Sequence, residues 1–126
     1  MSRILIVEDS PDNMRLFRAV LELQGHQVTG LIDGTGLLET IEREHPDLVL
    51  MDIQLPGCDG YVLLDEIRAT GRHLPVIALT AHAMAGDMER AIEAGFDGYI
   101  TKPIDVRAFP TQVAGVLGRS AGTEIA

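Results

Sequence analysis

Leu48-Val49-Leu50-Met51 is an unbroken apolar run that ends abruptly in Asp52, and Ile53-Gln54-Leu55-Pro56-Gly57 then breaks it. A short continuous apolar run between turn signals fits a strand covered on both faces, as in the middle of a parallel sheet. Open α/β sheets place their ligands at the carboxyl ends of the strands, which is where Asp52 stands. Ile4-Leu5-Ile6-Val7 repeats the pattern and ends in Glu8-Asp9, and Pro75-Val76-Ile77-Ala78-Leu79 ends at Thr80. Gly98-Tyr99-Ile100-Thr101 is a shorter run closed by Lys102-Pro103, and Gln27 to Ile32 is a weaker strand. An acid at a single strand end is an ordinary turn residue. Four polar ends on one edge of one sheet, with a lysine facing three acids, point to a site.

Helical signals fill the gaps between these runs. Ser10 is a suitable N-cap with Pro11 at the first helical position, and Leu16, Phe17, Val20 and Leu21 form the apolar stripe before Gly25. Leu37, Leu38 and Ile41 mark a second helix, closed by His45-Pro46-Asp47. Asp59-Gly60 opens a third, with Leu63, Leu64 and Ile67 inward and an end near Gly71. Met84, Met88, Ala91 and Ile92 place a fourth, ended by Gly95, with the two methionines expected in the core or facing a partner. Asp105 can cap a last helix carrying Phe109, Val113, Val116 and Leu117. Pro110 requires that helix either to begin late or to bend. The small and polar residues 119–126 read as a short flexible tail, leaving residues 1–118 as one domain.

Strands alternating with helices imply a parallel sheet with right-handed crossovers and helices on both faces. Five such units suit a doubly wound, flavodoxin-like (βα)5 fold with strand order 2-1-3-4-5. Its switch point, between strands one and three, joins Glu8-Asp9 to Asp52. The chain has 126 residues, enough for one domain with its own core. Its formal charge of −9 disfavours nucleic acid or an anionic membrane as a direct partner, and with no Trp, two Tyr and three Phe it has few rings on which to stack bases. Cys58 is the single cysteine, so no internal disulfide forms. No apolar run is long enough for a membrane span or a signal-peptide core, and a cytoplasmic protein is expected.

Glu8, Asp9 and Asp52 gathered at one edge would repel one another unless a cation were present. An all-oxygen set with few carboxylates favours Mg²⁺, which leaves coordination positions for water and phosphate. With Lys102 as a second positive charge and Thr80 as a hydroxyl donor, the set suits phosphoryl transfer, and Asp52 becomes a candidate nucleophile.

Glu8-Asp9, Leu50-Met51-Asp52, Pro56-Gly57, Leu79-Thr80-Ala81 and Lys102-Pro103 together resemble the receiver domain of two-component response regulators, over about residues 3 to 118. Ala81-His82-Ala83-Met84 with Gly86-Asp87 is similar to single-domain, DivK-like receivers and to receivers of hybrid kinases. The resemblance implies that Asp52 accepts phosphate from a phosphohistidine on a kinase or phosphotransfer protein. Asp9, Asp52 and the Gln54 carbonyl would bind Mg²⁺ directly, and Glu8 through water. Thr80, the Ala81 N–H and Lys102 would hold the phosphoryl group. Tyr99 resembles the aromatic switch that turns inward as Thr80 moves, and the Lys102–Pro103 bond is expected to be cis. Gln54 and His82 occupy positions that modulate dephosphorylation. Phosphoryl chemistry is expected only on the protein itself, with output through protein contacts of the helix four, strand five, helix five face, without direct DNA or membrane binding. The helix-one end near Asn13, Met14 and Phe17 is expected to meet the phosphodonor.

Three alternatives share parts of this pattern. An intermediate phosphorelay receiver, or a receiver cut from a hybrid kinase, would pass its phosphate onward. A flavodoxin-type carrier would need a Ser, Thr and Gly cradle for the FMN phosphate, where this chain has Glu8-Asp9. A haloacid-dehalogenase-type phosphatase needs a second Asp two residues after the nucleophile, and that place is Gln54.

Overall fold

The computed structural model describes residues 2–55, 57–71, 73–81 and 84–125. Pro56, His82 and Ala83, each part of a motif above, lie outside the described residues, as does the side chain of Cys58. The chain alternates β1 (Arg3–Val7), α1 (Pro11–Leu23), β2 (Gln27–Leu31), α2 (Leu37–Glu44), β3 (Leu48–Asp52), α3 (Gly60–Ala69), β4 (Val76–Thr80), α4 (Asp87–Ala94), β5 (Gly98–Thr101) and α5 (Phe109–Ile125). The five strands form one parallel sheet in the order β2-β1-β3-β4-β5. This is the doubly wound, flavodoxin-like order.

Both faces of the sheet are covered, which is why its central strands carry no polar alternation. On one face Leu5, Val7, Val49, Met51, Val76 and Ala78 pack under α2, α3 and α4, through Leu37, Ile41, Leu63, Leu64, Ile67 and Ala91. On the other, Ile4, Ile6, Leu48, Leu50, Ile77 and Leu79 meet α1 and α5, through Phe17, Leu21, Phe109, Val113 and Val116. The rings of Phe17 and Phe109 sit 5.5 Å apart and tie those two helices together. Each buried Val, Leu, Ile, Phe or Met among them contributes about 1.5–3 kcal/mol relative to exposure.

The helix faces depart from the sequence pattern in places. In α1 the inward row is Phe17 and Leu21, with Met14 and Val20 beside them, while Leu16 is exposed. Leu16 lies one residue, about 100° of helix, from Phe17, so including it widened the stripe too far. Leu38 is likewise on the outer side of α2. Phe17 is in the core, and a partner can therefore not read it as a surface residue. Met84 precedes α4 and is 75% exposed; Met88 and Ile92 are about half exposed, and Ala91 alone of the helix is buried. Met84 and Met88 are therefore surface residues, the second of the two places expected for them.

α5 begins late, and this resolves the difficulty with Pro110. Asp105 makes a turn ahead of the helix, its carboxylate accepting from the Arg107 N–H at 2.9 Å and its carbonyl from the Phe109 N–H at 2.8 Å. Pro110 then falls in the first turn, where a missing N–H breaks no intrahelical bond. The α5 backbone is helical through Ile125. Among the described residues, no helix is long and apolar enough to cross a membrane.

Between β3 and α3 lies a small element that has no signature in the sequence pattern. Gln54–Leu55 pairs antiparallel with Cys58–Asp59, and Gly57 takes a positive φ of +67° in the turn. Asp59 also caps α3, its carboxylate accepting from the Tyr61 N–H at 2.8 Å. Gly60 makes this fold-back fit, because a Cβ there would stand 2.6 Å from the Ile53 Cα.

Candidate functional site

Sheet register brings the polar strand ends together. Val7 is level with Met51, Asp52 with Leu79, and Thr80 with Thr101. Glu8, Asp52, Thr80 and Lys102 therefore emerge at neighbouring points of the same edge. Glu8 and Asp52 are almost wholly buried and Thr80 is completely so, while Asp9 is exposed at the mouth.

One cation links the two buried acids. Lys102 Nζ donates to Asp52 Oδ2 at 2.9 Å and to Glu8 Oε1 at 3.0 Å. The second oxygen of each carboxylate is also held. Asp52 Oδ1 accepts from the Gln54 N–H at 2.8 Å, and Glu8 Oε2 from the Ser10 N–H at 3.0 Å. Ser10 serves twice, since its hydroxyl also caps α1 by accepting from the Asn13 N–H at 3.3 Å. The base of Lys102 is fixed by its own N–H, which donates to the Thr80 carbonyl at 2.7 Å, and the Lys102–Pro103 peptide is cis.

The electrostatics are unbalanced. Burial raises the Glu8 carboxyl above its ordinary 4.5, and the negative charge of Asp52 adds to this; the bonds from Ser10 and Lys102 offset it only in part. Burial alone would lower Lys102, but its bonds to Asp52 and Glu8, and their charge, prevail and hold it above its ordinary 10.5. A single lysine is shared between two acids with a third close by. One oxygen from each of Glu8, Asp9 and Asp52 can be chosen so that all three lie within 4.8 Å of one another. Hard oxygen donors in excess of the local positive charge fit a divalent cation such as Mg²⁺, with Asp9 at the solvent side.

Two further residues flank the acids. The N–H of Ala81 donates to the side-chain oxygen of Gln54 at 3.1 Å. Tyr99 packs against the core on the α4 side; its hydroxyl oxygen is buried and has no hydrogen-bond partner among the described residues. Burial, with the charge of Asp87 and the neighbouring Tyr61, pushes the Tyr99 phenol above its ordinary value. Tyr61 stacks edge-on against Phe96 at 5.5 Å and lies under the Arg90 guanidinium at 5.0 Å, linking α3 to α4.

The structure thus brings together Glu8, Asp9, Asp52, Gln54, Thr80, Ala81 and Lys102. Two contacts are more specific than the sequence pattern: the direct Glu8–Lys102 pair, and the Gln54 side chain over Ala81. Only the identity of Gln54, a long side chain with an acceptor two residues after Asp52, offered a hint of the second.

The chain also has relatives among known proteins. Residues 4–114 match the response regulator receiver domain family. The chain is 42% identical over 117 residues to the polar-differentiation response regulator DivK of Brucella ovis, covering 91% of this chain and 95% of that one. Among solved structures it is similar to the receiver domain of a sensor histidine kinase from Pseudomonas aeruginosa PAO1, which has a magnesium ion coordinated in its active-site cleft. That likeness has a TM-score of 0.82 and 39% identity, and it covers 93% of this chain and 98% of the other. It is also similar to the BeF3-activated N-terminal receiver domain of Klebsiella pneumoniae RstA, with a TM-score of 0.83, 32% identity, and coverage of 91% and 97%.

Proposed function

The chain belongs to the response regulator receiver family of two-component signalling, and from that premise we propose that Asp52 is its phosphoacceptor. The observation that carries the proposal is the setting of Asp52. It is buried at the switch-point edge, with one oxygen held by the Gln54 N–H and the other by Lys102. These bonds hold the carboxylate in one position, and fixed positioning is what phosphoryl transfer demands.

In the proposed step an Asp52 oxygen attacks the phosphorus of a phosphohistidine on a kinase or phosphotransfer protein. The O–P bond of an acyl phosphate forms as the P–N bond breaks, and the bond's electron pair leaves with the imidazole, which takes up a proton from solvent. Asp9, Asp52 and the Gln54 carbonyl, with Glu8 through water, would hold Mg²⁺, which when bound would neutralise charge on the transferring group. Lys102 turns from the Asp52 carboxylate to a phosphoryl oxygen, and Glu8 keeps its ammonium in place. The Thr80 hydroxyl and the Ala81 N–H donate to the remaining oxygens. The same site hydrolyses the acyl phosphate, so the chemistry begins and ends on the protein's own Asp52.

Phosphorylation adds about one further negative charge and new acceptor oxygens. A hydrogen bond from Thr80 to a charged group is worth roughly 1.5–3 kcal/mol. That alone is about a quarter to a half of the ~5.5 kcal/mol that takes a two-state equilibrium from 1:99 to 99:1, and Lys102 adds only the difference between its bond to the phosphoryl group and the one it gives up at Asp52. Tyr99 couples that change to the face of α4, β5 and α5, where the half-exposed Met88 and Ile92 offer apolar contact to a downstream protein. The likeness to a sensor-kinase receiver supports a second reading, in which the phosphate is relayed onward.

Intact-mass measurement after incubation with acetyl phosphate and Mg²⁺ tests the proposal. The wild type gains one phosphoryl group, and Asp52→Asn gains none. Full labelling of the variant would place the nucleophile elsewhere.

A further inference from the structure

The Gln54 side chain reaches across the mouth of the site. Its Oε1 accepts from the Ala81 N–H at 3.1 Å, between residues 27 apart in sequence, while its own N–H donates to Asp52 Oδ1 at 2.8 Å. One residue therefore holds both the reacting carboxylate and the N–H just beyond Thr80. A backbone N–H has a single proton to donate. If Asp52 is the phosphoacceptor, as proposed above, a phosphoryl oxygen needs that same proton.

We propose that the Gln54 amide oxygen is a built-in competitor for the phosphoryl group. It stands in for a phosphoryl oxygen at Ala81 in the unmodified protein and is displaced when Asp52 is phosphorylated. The backbone under Gln54 is well anchored by its pairing with Asp59 and by the close approach of Gly60 to Ile53. The side chain itself is exposed, so it can swing into water without burying an unpaired amide. Exchange at Ala81 therefore leaves the main chain, including the Gln54 N–H and carbonyl, where it is. Gln54 makes phosphoryl binding weaker than the rest of the site would allow, and it shields the Ala81 N–H while the site is unmodified.

Beryllofluoride with Mg²⁺, a phosphoryl mimic, provides the test, using Gln54→Met and Gln54→Ala, which both keep the main-chain groups. Both variants are expected to bind it roughly 2- to 10-fold more tightly than wild type, the range spanned by one modest net hydrogen bond. Without beryllofluoride, the Ala81 amide signal in ¹⁵N NMR is expected to shift and to exchange faster with solvent in both. Equal or weaker binding by the Met variant would overturn the proposal, because Met keeps the bulk and removes the acceptor. So would tightening in the Ala variant alone, or an Ala81 amide that neither variant perturbs. Failure of a different kind marks the underlying function. Wild type that does not bind beryllofluoride, or that binds it equally well as Asp52→Asn, would sink the phosphoacceptor assignment even with the Ala81 amide perturbed as expected.

Discussion

The two edges of the sheet solve the same problem in opposite ways. At the amino-terminal edge, Arg68 of α3 donates to the carbonyls of Leu74 and Gly95 and pairs with Asp97 at 2.8 Å. The same Asp97 oxygen accepts from the Val76 N–H at 2.9 Å. Among the described residues Arg68 is the cation that pairs with Asp97, and both are partly exposed. At the carboxyl-terminal edge Lys102 is shared by Glu8 and Asp52, with side chains almost wholly buried, and Asp9 adds a further acid. The balanced edge joins α3 to the starts of β4 and β5. The unbalanced edge carries surplus negative charge out of water, an arrangement that a bound cation relieves. Charge excess, more than the presence of ion pairs, separates a site from a brace.

The largest expected contrast comes from deleting each cation. Lys102→Met leaves two buried carboxylates without their counter-charge and should destabilise the metal-free protein by about 3–5 kcal/mol in urea unfolding. Saturating Mg²⁺ should restore part of that loss. Arg68→Met removes a partly exposed pair and two bonds to carbonyls, so about 1–3 kcal/mol is expected, with no Mg²⁺ dependence. Equal Mg²⁺ responses at the two edges would break the comparison.

A smaller effect is expected next to the site. Tyr99→Phe deletes a buried hydroxyl without a partner among the described residues, so the variant should gain about 1 kcal/mol on thermal or urea unfolding. A loss of stability would mean that the hydroxyl makes a favourable interaction.

The finest effect is a slope. Glu8 sits above its ordinary 4.5 in the folded protein, chiefly through burial. The folded state therefore holds its proton more tightly than the unfolded state. That contribution to stability is fully present below about pH 4.5 and is lost as pH rises through the folded value. Measured without metal, Glu8→Gln should gain stability relative to wild type as pH rises through this window, and the gain should shrink with Mg²⁺. Lys102, held above 10.5, contributes stability that is kept through neutral pH and lost only as pH rises through its folded value. A wild-type-minus-variant difference that does not change with pH would remove the charge excess from the account.

The sequence was most legible where burial on both faces forced continuous apolar runs. Ile4–Val7, Leu48–Met51 and Val76–Leu79 could only be central strands, and parallel register then carried Glu8, Asp52 and Thr80 to one edge. Legibility fell where a single helix turn decided the outcome. Leu16 and Leu38 are apolar yet point outward, because composition does not record the helix's rotation against the sheet. Met84 is apolar but precedes its helix. Least legible were contacts between distant segments: the Glu8–Lys102 pair, and the reach of Gln54 to Ala81. Both depend on loop paths after β3 and β5 that no local periodicity encodes. Within the first of these paths, the fold-back at Gly60 could be read only once a Cβ there was seen to collide with Ile53.

The central claim is that the unbalanced edge receives a phosphoryl group on Asp52. Peptide mapping by mass spectrometry, after reaction with acetyl phosphate and Mg²⁺, tests it most directly. The account predicts one modification, on the peptide containing Asp52, absent when Mg²⁺ is chelated. A phosphoryl group on any other residue, or equal labelling without Mg²⁺, would contradict it.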